Sequence, residues 1–388
     1  MLADTVLGAL LVKAERYAIA GKRTARENVG ELKEYWALPL QHRDAFHERI
    51  RAAHRRGAID VKWSKQGGDD KTVEKIAVLD IQALAGFLGA KSAEAELREA
   101  TELLSPWIDR SSRVKEILDR WAQGMKVRGQ GPNSARSFAD ALRVLDALAL
   151  TPGEDQVVRR ISVRLFSNSK HIEKLKRPLD LLTNDTLLAP ARKRLELFNE
   201  LGLVKEPQPF LAAGSGVLRL QDDQNATVLR PFLGVAGKTI IGYSGDPAWV
   251  LSIENLTTFH LCSQLAAARD GLIVYTGGMP SPAWANAYSK ILEACSPSIQ
   301  IFHWGDIDAG GFRIAARIRE IVPATHQLLP WLMDPRELPS SIENQEAEPA
   351  TKSAMVRHAM RAGWPDLAAG LDERRIEQEA IEPRLPSR

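Results

Sequence analysis

Cysteine is nearly missing from this 388-residue chain. Cys262 and Cys295 lie far apart in sequence, which argues against a disulfide framework and fits a reducing cytoplasm. Long hydrophobic runs are missing too. None approaches the roughly 18 residues of a membrane span. The opening Met1-Leu2-Ala3-Asp4 has no basic segment leading to a cleavage site, so a secretory signal is not expected and a cytoplasmic location is. The Leu/Ala-rich stretch 80–150 shows no internal repeat. A nucleotide-binding loop is also lacking. Gly234-Val235-Ala236-Gly237-Lys238-Thr239 imitates the end of one, but the pattern needs glycine at position 232, which is Phe232, and the residues that follow read as strand. What remains is an ordinary globular composition, 44% hydrophobic and 26% charged, with length for two or three domains.

The net charge is only +3, but it is uneven. Residues 1–200 carry 35 Lys and Arg against 28 Asp and Glu; residues 201–388 carry 17 against 21. The first part is therefore the candidate for polyanion binding and the second the candidate for metal binding.

Helical spacing runs over residues 2–20 through Leu2, Val6, Leu7, Leu10, Leu11 and Ala14. Thr24 and Glu27 have capping-box spacing, which predicts a helix from there to about Tyr35. A third helix is expected over His42–Arg56, with Phe46, Ile50 and Ala53 facing inward and Arg43, Arg51 and Arg55 outward. Two strands follow, Ala58–Trp63 and Thr72–Leu79, joined by a turn at Gln66-Gly67-Gly68-Asp69-Asp70. Three helices and a hairpin are the outline of a winged helix. In that arrangement the last helix enters the major groove and basic groups such as Arg43, Arg51, Arg55 and Lys62 meet phosphates; winged helices also dock proteins. Only Tyr17 and Tyr35 fall in residues 1–85, both among apolar neighbours, which suits core packing better than nucleophilic chemistry.

Residues 86–206 read as a helical arm. Arg128–Asn133 is a loop, read as a solvated connector or a backbone-phosphate contact. Arg159–Phe166 alternates like a strand, and Ser169-Lys170 opens a basic helix that could hold an anion or simply be capped.

From Trp249 the pattern becomes α/β. Strands are expected at Trp249–Ile253, Leu272–Tyr275, Ile299–Trp304 and Ala324–Leu329, with helices between them. That alternation implies a parallel sheet buried on both faces, with chemistry at the carboxyl ends of its strands. Glu254, Gly277-Gly278, Asp306 and Asp308 all fall at such ends. Asp306 and Asp308, two apart on an extended segment, point the same way and repel unless a cation lies between them. Hard divalent ions such as Mg2+ or Mn2+ suit these oxygens. Glu254, Asp306 and Asp308 are therefore the candidate catalytic metal ligands, Glu254 also a candidate general base, and Glu379 a possible outer ligand. Helix capping is the competing role for Asp306 and Asp308, and a solvated helix face for Glu377 and Glu379. His303 is expected to be packed beneath the site. Residues 336–388 read as a helical tail with patches at Ala354–Ala362 and Leu367–Ala380.

A strand ending in Glu254, followed by one ending Asp306-Ile307-Asp308-Ala309-Gly310-Gly311, resembles the TOPRIM fold of topoisomerases, primases and certain nucleases. A wider resemblance is to the JetD subunits of Wadjet anti-plasmid defence systems. It rests on Ser162–Lys170, Ser252-Ile253-Glu254-Asn255, Trp304–Gly311 and Ile376–Ile381. The resemblance implies an N-terminal winged helix (1–85), a helical middle region (86–206), a TOPRIM-like domain (207–335) and the tail (336–388). It also implies a Mg2+- or Mn2+-dependent endonuclease that cuts plasmid DNA as a dimer delivered by an SMC-like ATPase complex. The absence of an ATP motif agrees with ATP hydrolysis elsewhere. The rival readings are a non-catalytic DNA-bridging scaffold and an RNA-processing TOPRIM nuclease.

Overall fold

Trp249–Ile253 is a run of five buried residues, and burial on both faces places it in the middle of a sheet. The computed structural model describes residues 1–22, 24–65 and 71–387. It divides into two units, Met1–Arg143 with Arg177–Ala189, and Val144–Lys176 with Pro190–Arg388.

In the first unit, helix α1 (Leu2–Ile19) buries Ala3, Val6, Leu7, Leu10, Leu11 and Ala14, the stripe expected from its spacing. The helix expected from Thr24 does not form. Arg26–Glu27 is a short strand, β1, and a single turn of helix is delayed to Lys33–Trp36. Tertiary contacts override the capping-box pattern: Val78 N–H donates to the Ala25 carbonyl, and Lys13 Nζ donates to the Arg26 carbonyl and the Glu27 carboxylate. Helix α2 (Leu40–Arg55) and the antiparallel strands β2 (Ile59–Trp63) and β3 (Val73–Val78) form as expected, and β1 adds to the far side of β3. The expected turn at Gln66–Asp70 lies outside the described residues. Tyr35 is fully buried; its hydroxyl accepts from Val73 N–H and lies 2.7 Å from His47 Nε2, a core role.

Helices α3 (Ala93–Ile108), α4 (Ser112–Ala122) and α5 (Ala135–Ala149) supply a second cluster through Leu104, Ile117, Trp121, Phe138 and Leu142. The loop at Arg128 is tied to it rather than solvated. Arg128 pairs with the buried Asp180 at 2.5 Å and donates to the Ala189 carbonyl.

In the second unit the strand expected at Arg159–Phe166 is a helix, α6 (Val158–Phe166). Its buried residues Val158, Ile161 and Ser162 are spaced three and four apart, so the period was helical under a superficial alternation. Helix α7 (Arg194–Glu200) follows. The sheet comprises β4 (Pro209–Gly214), β5 (Leu233–Ala236), β6 (Trp249–Ile253), β7 (Leu272–Tyr275), β8 (Gln300–Trp304) and β9 (Leu328–Pro330), in the order β9-β8-β6-β7-β4-β5. Four strands are parallel, though the one expected at Ala324–Leu329 begins only at Leu328; β4 and β5 extend the sheet antiparallel, so it is mixed. Helices α8 (Leu256–Gln264), α9 (Pro282–Glu293) and α10 (Ala309–Ile321) follow β6, β7 and β8.

Residues 336–387 are built into this unit. Helix α11 (Pro349–Arg361) packs on α10, and Met355, Trp364, Leu371, Ile376 and Ile381 share one core with Ile253, Ile301 and Phe312. The second expected tail helix stops at Gly370, and the chain then runs extended through Arg374-Arg375 to a single turn at Gln378–Ala380. No helix among the described residues is long and apolar enough to cross a membrane.

Leu251 sits fully buried at the centre of β6. Leu251→Ala is expected to lower stability by about 2–5 kcal/mol, from lost burial and the cavity left behind. Urea denaturation checks this, and an unchanged midpoint would place Leu251 outside the core.

Candidate functional site: a carboxylate corner

Parallel pairing sets Ile253 beside Trp304, so Glu254 and Asp306 leave the sheet at adjacent strand ends. Glu254 N–H donates to the Trp304 carbonyl at 3.0 Å, which locks the first of these ends to the second. The carboxylate of Glu254 then turns back on the neighbouring strand. Its Oε2 lies 3.4 Å from Asp306 N, at the long limit of a hydrogen bond. Gly305 makes that approach possible: a Cβ there would lie 2.7 Å from Glu254 Oε2 and 3.1 Å from His303 Nε2. Gly311 is equally constrained, since its Cβ would lie 2.1 Å from the Asp306 carbonyl oxygen. Gly305 at the strand end and Gly311 in the first turn of α10 are thus requirements of close packing.

Asp306 and Asp308 do not play equal parts. Asp308 caps α10, its Oδ1 accepting from Gly311 N–H at 2.8 Å, as the capping alternative foresaw. Asp306 instead accepts from the main-chain N–H of Gln378 at 2.8 Å. Ile307, between them, exchanges main-chain hydrogen bonds with Ile376. Among the described residues no group of three or more His, Cys, Asp or Glu side chains is arranged as a metal cage. Glu254 and Asp306 form the close pair, with Asp308 beside it.

Burial pushes the Glu254 carboxyl up to about 8, and the charges of Asp306, Asp308 and Glu196 push the same way, against the Asp306 N–H. Burial also lifts Asp306 to about 6, opposed by the Gln378 N–H and reinforced by Asp308, Glu377 and Glu379. The side-chain charges that act most on the pair, Asp308, Glu196, Glu377 and Glu379 besides the two carboxyls themselves, are negative. Arg313, on α10, is engaged by Glu196 of α7 in an ion pair.

His303 lies beneath the corner, fully buried as expected. Burial pushes its imidazole down to about 3, so the ring is neutral. Ser252 Oγ donates to the Phe302 carbonyl and lies 3.0 Å from His303 Nδ1. The other ring nitrogen, Nε2, has no protein partner.

Glu377 and Glu379 are exposed, and Glu379 Oε1 accepts from Asn255 Nδ2 at 2.7 Å. The residue between them, Gln378, is fully buried against the corner and was not anticipated. Buried Ile376 and Gln378 alternate with exposed Glu377 and Glu379, a pattern that three polar residues in a row do not announce in the sequence.

The basic candidates are scattered in role. Arg43 donates to the carbonyls of Trp36 and Leu38 and lies over the Tyr35 and Trp36 rings, an internal brace. Arg51 pairs with Glu48 at 2.7 Å and covers Trp63; Lys62 pairs with Glu74 at 2.7 Å. Arg55 is exposed at the end of α2. Lys170, in the second unit, is exposed at the start of a four-residue helix.

Residues 216–387 match the family model described as Wadjet protein JetD, C-terminal. The chain belongs to the JetD family. The JetD match spans Glu254, Asp306, Asp308 and Gln378, so the whole corner lies inside it. Residues 37–183 match a second model, described as the N-terminal part of an uncharacterized protein conserved in bacteria. No curated protein matches the chain.

Because the Glu254 carboxyl is raised from 4.5 to about 8 on folding, the folded protein binds more protons than the unfolded chain between those values. Stability from this group is therefore full below about pH 4.5 and is lost as pH rises towards 8. With divalent ions chelated, Glu254→Gln is expected to match wild type near the low end of this window and to be more stable at the high end. Urea midpoints across that range check this; parallel curves for the two proteins would rule out the raised carboxyl.

Proposed function

We propose that this chain is the metal-dependent DNA endonuclease subunit of a Wadjet anti-plasmid defence complex, hydrolysing phosphodiester bonds of closed-circular DNA. The observation that carries the reading is the half-buried Glu254–Asp306 pair at the carboxyl ends of parallel strands, where further carboxylates push both groups up. Two carboxylates in that setting must either keep a proton or receive a cation.

The donor set fits a hard divalent ion. Mg2+ keeps several waters and takes one or two carboxylates together with substrate phosphates, so a pair with Asp308 alongside suits it better than a closed cage would. Glu254, Asp306 and Asp308 would hold Mg2+ or Mn2+, with Glu379 at the outer edge. Such an ion polarises a phosphate and lowers the pKa of its bound water. Glu254 Oε2 is the atom that takes a proton from the attacking water. The water oxygen bonds to phosphorus as the bridging oxygen leaves. Hydrolysis by water is preferred to a tyrosyl intermediate because the Tyr35 hydroxyl is buried in hydrogen bonds.

The helices and three-stranded sheet of residues 1–85 form the winged-helix-like part in this reading. Arg51, Arg55 and Lys62 are its phosphate contacts. The exposed partners Glu48 and Glu74 hold Arg51 and Lys62 only weakly, because surface ion pairs are worth about 0–1 kcal/mol. A dimeric state and an SMC-like ATPase as delivery partner belong to the same proposal, as does the TOPRIM character of the sheet unit.

Asp306→Ala is expected to leave folding and DNA binding nearly intact and to abolish nicking and linearisation of a plasmid with Mg2+ or Mn2+. Cleavage by the purified variant would sink the assignment. Arg55→Ala is expected to weaken DNA binding uniformly across sequences and to reduce the slope of log K against log salt by about 0.9. Filter binding over a salt series measures this, and an unchanged slope would remove Arg55 from the interface.

A further inference from the structure

Gln378 is fully buried, and its polar groups reach both carboxylate-bearing strand ends. Its Oε1 accepts from Asn255 N–H at 2.8 Å, just past Glu254. Its Nε2 donates at 2.9 Å to the Trp304 carbonyl, the same oxygen that accepts from Glu254 N–H. Its main-chain N–H donates at 2.8 Å to Asp306 Oδ1. The residue thus grips the peptide group that follows Glu254, the Trp304 carbonyl on the neighbouring strand and the side chain of Asp306 at once. Two flanking contacts fix its place. Ile376 and Ile307 exchange a pair of main-chain hydrogen bonds, and Asn255 Nδ2 donates to Glu379 Oε1.

The chemistry asks for an amide. One end must accept from an N–H and the other must donate to a carbonyl, which neither a carboxylate nor an apolar side chain of the same length can do. A Met or Leu here would leave the Asn255 N–H without this partner, and a Glu would set a carboxylate oxygen against the Trp304 carbonyl.

We propose that Gln378 is a positioning residue for the carboxylate corner: it holds Glu254 and Asp306 at the separation a divalent cation requires, and so sets the cation affinity of the site. This rests on the reading of the corner as a cation site. The effect is indirect, since the Gln378 side chain acts through main-chain groups on β6 and β8. A purely structural role for Gln378 would lower stability without changing affinity for the ion.

Calorimetric titration of the full chain with Mn2+ alone separates the two. Wild type is expected to bind, Asp306→Asn to lose binding, and Gln378→Met to fold and bind at least tenfold more weakly. Wild-type affinity in Gln378→Met, with binding lost in Asp306→Asn, overturns the positioning role and leaves the cation site standing. No Asp306-dependent binding in wild type overturns the cation site itself and the inference with it. If Gln378→Met does not fold, amide hydrogen exchange of wild type decides. Mn2+ is expected to slow exchange at Asn255, Ile376 and Gln378 together. Slowing at Asn255 without any at 376–380 overturns the proposal.

Discussion

Two carboxyl groups that would move apart in water are held side by side by the parallel pairing of β6 with β8. Each raises the other's cost of ionising, so the corner holds a proton or invites a cation. The sheet withstands this because β6 is buried along its length, β8 is buried from Ile301 to Trp304, and both are anchored by Ile253, Ile301 and Trp304. Charge conflict at the strand ends is thus supported by apolar packing a few residues away. Nearly every feature of the corner serves the conflict: a glycine where Glu254 approaches, a cap that engages Asp308, and a main-chain N–H turned toward Asp306.

How much of this could be read from sequence depended on whether a signal was local. The four parallel strands and their intervening helices were legible because each is a continuous apolar or periodic run. The carboxylates were legible because they interrupt those runs at the strand ends. Val158–Phe166 was misread because Ile161, Val163 and Leu165 imitate strand alternation, while packing selects Val158, Ile161 and Ser162. Arg26–Glu27 was misread because its strand state comes from partners fifty residues away on β3, which a capping pattern cannot report. Gln378 was invisible for the same reason: all three of its partners at the corner are more than seventy residues distant.

Counting charge by segment also overstated how much of it faces solvent. The first 200 residues carry an excess of basic groups, yet several of these are structural. Arg43 braces a turn, Arg49 is paired with Asp4 and lies over Phe87, and Arg113 and Arg128 tie loops to the helical cluster. A guanidinium suits such work because its planar fork satisfies several carbonyls at once. What is left for a polyanion is a smaller set, of which Arg55 and Lys170 are exposed examples.

Gln378 lies 72 positions after Asp306 in the chain. At a synthesis rate of roughly 5–20 residues per second, Asp306 leaves the ribosome about 4–14 seconds before its partner. During that interval a nascent chain can pair its parallel strands, yet the corner lacks one wall. The order of synthesis therefore acts as a timer: a late-emerging stretch of the sheet unit supplies the N–H that Asp306 accepts.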